Sequence, residues 1–191
     1  MTPLDGDAVR AAVTAVRDLL DRVPDEDAGV PVMGATVTAV AQHIAGCLCW
    51  YAHDLAAGAD ELSAAEVVPD ADASLAVANR SVGAWGEVLA RTLDGAGEDD
   101  RGWHPHGVAD PAGFAAIGCA ELLVHGSDVA GALGLDWSPP PDVATATLAR
   151  LFPEVTGVGD PMAGLLWATG RADLPGRERR TTWTYGIASP A

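Results

Sequence analysis

Glu121 and His125 lie four residues apart in GFAAIGCAELLVHGSDVAGALG, a stretch without Lys or Arg. Four residues along a helix turn about 400° and rise about 6 Å, so the two side chains would project from adjacent turns of one face. A carboxylate in so apolar a segment needs a cation, a proton or hydrogen-bond donors, and its own segment supplies no cationic side chain. A metal ion would supply the charge. His43 stands in a second apolar stretch free of basic residues, TVTAVAQHIAGCLCWYAHDLA. Three such ligands from two facing helices would leave a fourth position for water or substrate, as in catalytic rather than structural zinc sites. The same residues also fit two core histidines satisfied by hydrogen bonds beside a partly exposed Glu121. Spacing alone does not separate the two readings.

Asp128, three residues after His125, is placed to orient a metal-bound imidazole through its other ring N–H, or simply to face solvent near the end of its helix. Cys47 follows His43 at ligand spacing. Bound to a metal it would close the site with a fourth ligand; as a small buried cysteine, the commoner case, it packs the core. The run Trp103-His104-Pro105-His106 would sit in a loop before the Glu121 helix, either covering the end of the helices or carrying two solvated histidines, the simpler reading. His53 is expected to be exposed. Four arginines between Arg171 and Arg180 form the only basic patch; Arg177, Arg179 and Arg180 could attract an anion but are more simply read as a solvated tail.

The elements that must position these groups are helical. Apolar residues at three-and-four spacing predict helices over Asp7 to Val23, about Thr36 to Ala57, and Ser74 to Gly95. A fourth should run from between Pro111 and Phe114 to Gly134, and two short ones at about Asp142 to Leu151 and Asp160 to Gly170. On the second, His43, Cys47, Trp50 and Asp54 share a face; on the third, Leu75, Ala78, Val82, Trp85, Leu89 and Leu93 form the apolar stripe. Strand signals are scarce, and TTWTY near the end either pairs as a strand or packs on the helices. Four long helical patterns joined by turns argue for a four-helix bundle.

Composition narrows the function. The chain has 191 residues, 49% of them hydrophobic, which suits one globular domain with a substantial core. Its net charge of -16 would repel nucleic acid phosphates and anionic membrane surfaces. The absence of Lys excludes a Schiff-base or Walker A lysine, and G-x-S-x-G is missing. Three cysteines without a disulfide framework, no signal-like N-terminus, and apolar runs too short or too polar for a bilayer lead to the expectation of a soluble cytoplasmic protein.

The segments HIAGCLCWYAHDL and ELLVHGSDVAGALG resemble the two signature stretches of the mycothiol-dependent maleylpyruvate isomerase family, part of the DinB-like superfamily of metal-binding four-helix bundles. The similarity covers most of residues 5 to 135, and its most specific element is the E-x3-H-x2-D-x5-G pattern of Glu121, His125, Asp128 and Gly134. It implies an all-α fold: a DinB-like metal-binding four-helix bundle at residues 1–135, with residues 136–191 as a C-terminal extension of short helices and tail packed on it. By position, it implies that His43, Glu121 and His125 bind a divalent metal, generally zinc, and that the low-molecular-weight thiol mycothiol approaches the open metal position. A thiol on zinc ionises near neutral pH, so no dedicated general base is needed. The implied function is that of a metal-dependent isomerase or thiol S-transferase acting on an electrophilic small molecule, as monomer or homodimer. A non-catalytic metal-binding or metal-free helical bundle is the alternative. The resemblance weakens after Gly134, because the name-giving isomerases carry a larger C-terminal domain that contributes to substrate recognition.

Overall fold

The computed structural model describes residues 2–62 and 66–188; residues 63–65 of the acidic connection and 189–191 of the tail lie outside the described residues. The described chain is mostly helical, with α1 (Gly6–Leu20), α2 (Val37–Ala57), α3 (Leu75–Gly95), α4 (Pro111–Leu133), α5 (Pro141–Leu151) and α6 (Pro161–Ala168). Local chemistry sets their starts. Asp5 accepts from the amides of Asp7 and Ala8, Thr36 from Ala39 and Asp110 from Gly113. Ser74 makes no such bond, and the distant Glu26 carboxylate accepts from the Leu75 amide instead, at 2.7 Å.

Two ends fall short of the sequence expectation. α1 stops at Leu20 rather than Val23 because the Arg22 and Val23 amides turn to the Leu19 and Leu20 carbonyls, a tightening that closes the last turn. α6 stops at Ala168, and Gly170 then adopts a φ of 72°. The loop after α1 holds a short antiparallel pair, β1 (Gly29–Val30) with β2 (Ala35–Thr36), too brief to leave an alternation pattern. TTWTY forms no strand; of its residues Tyr185 is buried and the other four are exposed.

α1 and α2 occupy opposite corners, each packed on both α3 and α4. Arg10 reaches Glu87 and Asp94 while Arg17 reaches Asn79, so α1 and α3 run antiparallel. Gln42 contacts Asp70 just ahead of α3, and Leu48 and Leu89 meet beside Gly118, so α2 and α3 run in the same direction. His43 lies level with His125 and Leu55 level with Phe114, which makes α4 antiparallel to α2.

Every residue from Gly113 to Gly126 is buried. α4 is therefore apolar on all sides because all sides are packed. Its length and composition would let a helix cross a membrane, more than its apolar run conveyed in sequence; in this fold that surface faces α1, α2 and α5. On α3 the expected stripe holds except at Trp85, which is 37% exposed. A Cβ on its neighbour Gly86 would collide with the Val13 side chain, so the Gly86 side of α3 meets α1 and the indole lies off that face.

The C-terminal region is anchored on the helices at particular residues. α5 lies on α4, and Tyr185 and Ile187 are buried. Arg150 donates to the carbonyls of Gly186, Ile187 and Ala188 and to the Asp110 carboxylate at 2.8 to 3.1 Å, strapping the tail to the start of α4. Arg177 and Arg180 stand 5.0 and 4.7 Å from the Trp167 ring. Cation–π contact thus corrects the solvated-tail reading for these two residues, while Arg179 is exposed and pairs with Asp173.

Candidate metal centre

α2 and α4 face each other so that His43, Glu121 and His125 converge, with one donor atom from each lying within 4.8 Å of the others. Glu121 Oε2 is 3.0 Å from His125 Nε2 and 3.3 Å from His43 Nε2, and the two rings meet edge to face at 4.9 Å. Glu121 and His125 are buried, whereas the His43 side chain is 46% exposed. The donor set is therefore walled on the α4 side and open on the α2 side.

Asp128 is buried, and its Oδ2 lies 2.9 Å from His125 Nδ1. Of the two roles considered from sequence, solvent exposure is thereby removed. Carboxylates only accept, so His125 Nδ1 carries the hydrogen shared with Asp128, while Nε2 faces Glu121 Oε2 at ion-pair distance. Burial disfavours the charged ring, but the hydrogen bonds to Asp128 and Glu121 and their charges outweigh it and raise the His125 pKa. Burial likewise opposes ionisation of Glu121, yet His125 and His43 hold the carboxyl well below the usual range. A divalent ion would fit this set: His43, Glu121 and His125 would hold it, His125 through Nε2 with Nδ1–H still donating to Asp128, and the Glu121 carboxylate would keep a cationic partner. Two imidazoles and a carboxylate suit zinc and its neighbours among the divalent first-row metals.

Three contributors were missed in sequence. Tyr51 and Tyr185 donate to Glu121 Oε1 at 3.3 and 3.4 Å, leaving Oε2 for the histidines. Burial first, and the Glu121 charge second, push both phenols upward, so they stay protonated donors. Arg171 Nε lies 3.2 Å from Asp128 Oδ2, balancing the second buried carboxylate. Tyr51 had a readable signal, since it stands one helical turn after Cys47, a member of the His43 face. Arg171 and Tyr185 come from the tail and carried none.

The remaining candidates divide. Cys47 Sγ is 3.6 Å from His43 Nε2 but outside the mutually close donor set. Burial, with the Glu121 charge, pushes its thiol far up, so it is no nucleophile by itself. His104 is buried, against the expectation of a solvated loop histidine, because its ring is enclosed by Tyr51, His106 and Phe114. Burial, aided by His106, lowers its pKa to about 4. His106 is exposed as expected; His53 is half-exposed and held by Asp54 at 2.9 Å.

Two hollows flank the centre. One of about 380 Å³ lies between α2 and α3, with His43 and Cys47 on its wall. The other, about 360 Å³, lies under the loop carrying Trp103 and His104, and Cys47 and Trp50 border both. Comparison of the chain with family models, with curated proteins and with solved structures returned no match. The site thus stands on its own geometry.

Proposed function

We propose that this protein is a DinB-like, metal-dependent enzyme that uses a low-molecular-weight thiol of the mycothiol type, as isomerase or S-transferase. The observation that carries the reading is the donor set itself: His43, Glu121 and His125 converge, and the partner exposed to solvent, His43, opens on a hollow large enough for a small molecule. When bound, a divalent ion would supply a Lewis acid that lowers the pKa of a thiol into the neutral range.

The chain's own groups do the rest. Glu121 and His125 would hold the ion from α4, and His43 would complete the set from α2. Asp128 keeps His125 in the tautomer whose Nε2 faces the ion, and Arg171 offsets the charge of that carboxylate. Tyr51 and Tyr185 fix the Glu121 rotamer. Such a site would supply a thiolate suited to reversible addition to an activated double bond, with rotation about it, or to displacement of a leaving group.

The test is metal analysis of freshly purified protein beside His43→Ala and Glu121→Ala variants, followed by thermal shift with mycothiol. We expect one equivalent of metal in the parent, little in the variants, and a raised melting temperature with thiol only where metal is retained. Equal and negligible metal in all three sinks the proposal. The proximity of Cys47 to His43 favours one alternative, a non-catalytic bundle in which Cys47 closes a structural site.

A further inference from the structure

The hollow beside His43 has a chemistry of its own. Trp50, Trp85, Val68 and Val77 give it apolar walls, and Val68 is 76% exposed. Its neutral polar side chains are largely committed: the Gln42 amide donates to the Asp70 carbonyl at 2.6 Å and the Ser81 hydroxyl to the Val77 carbonyl at 3.0 Å. None of the chain's arginines lines it, and there is no Lys. The strongest arginine contacts lie elsewhere, on Asp128, on the tail carbonyls, over Trp167 and along the α1–α3 seam. Asp70 contributes the one carboxylate on the wall among the described residues.

We infer that the ligand taken beside the metal donors is uncharged and apolar or aromatic, and not a carboxylate or phosphate. Resting on the thiol-enzyme reading, this names the class of electrophile that the site accepts. With His43 committed to the ion and the open metal position taken by the thiol, as the thiol-enzyme reading requires, a carboxylate entering the hollow would lose water without gaining an arginine or lysine partner and would meet Asp70, whereas two indoles offer a planar uncharged ring a stacking surface. The volume of about 380 Å³ suits a molecule of one or two rings. Gly46 also lines the hollow, and a Cβ built there meets nothing within 4 Å. A larger side chain at that position would fill the space without displacing the donors.

The experiment compares methyl cinnamate with cinnamate at pH 7.5, by ligand-observed NMR, on the full chain with metal content measured in the same samples. The ester is expected to bind at least about tenfold more tightly than the acid, and Gly46→Leu to weaken ester binding by at least about tenfold with metal content unchanged. Trp85→Ala, at a partly exposed position, is expected to weaken it in the same direction. Val77→Arg should raise the affinity for cinnamate by placing a cation on the wall. Equal or tighter binding of the acid by the parent overturns the inference, as does ester binding that Gly46→Leu leaves intact. Ester binding blocked by Gly46→Leu in a protein that holds no metal supports the ligand class and removes the thiol-enzyme reading alone.

Discussion

Replacing Asp128 by Asn keeps the shape of the side chain and removes the charge that faces His125 at 2.9 Å and Arg171 at 3.2 Å. Groups that orient a metal-bound imidazole typically contribute 10- to 100-fold in affinity, about 1.4 to 2.8 kcal/mol. Where in that range the loss falls depends on pH. Below the raised pKa of His125 the metal-free ring is an imidazolium, and Asp128 stabilises it as well as the metal-bound ring. Most of the effect then cancels. Above that pKa the metal-free ring is neutral, Asp128 helps mainly the bound form, and the full loss appears. Competition against a zinc-sensitive fluorescent chelator should therefore give a loss near tenfold at pH 6 that grows toward about 100-fold as the pH is raised through the His125 pKa. Circular dichroism would establish that the helices persist. An affinity unchanged on both sides of that pKa, in a folded variant, refutes the role assigned to Asp128.

Cys47→Ser should leave metal stoichiometry intact and affinity within about threefold if Cys47 is not a ligand; a loss above about 100-fold would mean that it closes the site. His104, with a pKa of about 4 in the fold against about 6.5 when unfolded, favours the folded state above pH 6.5, and that contribution disappears as pH falls toward 4. Allowing for solvent at the loop, urea unfolding should show a loss of about 2 kcal/mol across this window that His104→Gln abolishes. In the metal-free protein the raised pKa of His125 acts oppositely: its contribution is complete below about pH 6.5 and is lost as pH rises through the folded value. Melting temperatures of metal-stripped protein should thus fall above neutrality, and Asp128→Asn should flatten that fall. Gly102→Ala should cost about 1–3 kcal/mol in urea unfolding, because its Cβ would lie 2.7 Å from the Leu55 backbone, where nothing flexible can yield.

Much of the helical framework was legible because α1, α2 and α4 begin on local caps at Asp5, Thr36 and Asp110, and α4 ends at Gly134. The His43, Glu121, His125 and Asp128 constellation was legible for the same reason: three of the four share one helix, where spacing fixes geometry. Helical periodicity could not reveal what arrives from elsewhere in the chain. Arg171 and Tyr185 reach the centre only through the packing of α6 and the Arg150 strap, and His104 is buried by partners distributed over α2 and α4. Trp85 was misplaced because a periodic stripe treats every apolar residue alike, while the glycine beside it decided which side of α3 meets α1.

The shared direction of α2 and α3 obliges the chain, after leaving α2 at Ala57, to travel back about 30 Å before it can begin α3 at Leu75. Part of that return, Val67 to Asp70, forms a wall of the hollow beside His43, while the donors sit on helices whose inner faces are fixed by the core. Evolution can therefore vary the two separately: changes along the returning segment alter which molecules are admitted, and the metal donors on α2 and α4 need not move. Proteins that share this donor set could then differ widely in substrate while keeping one centre unchanged.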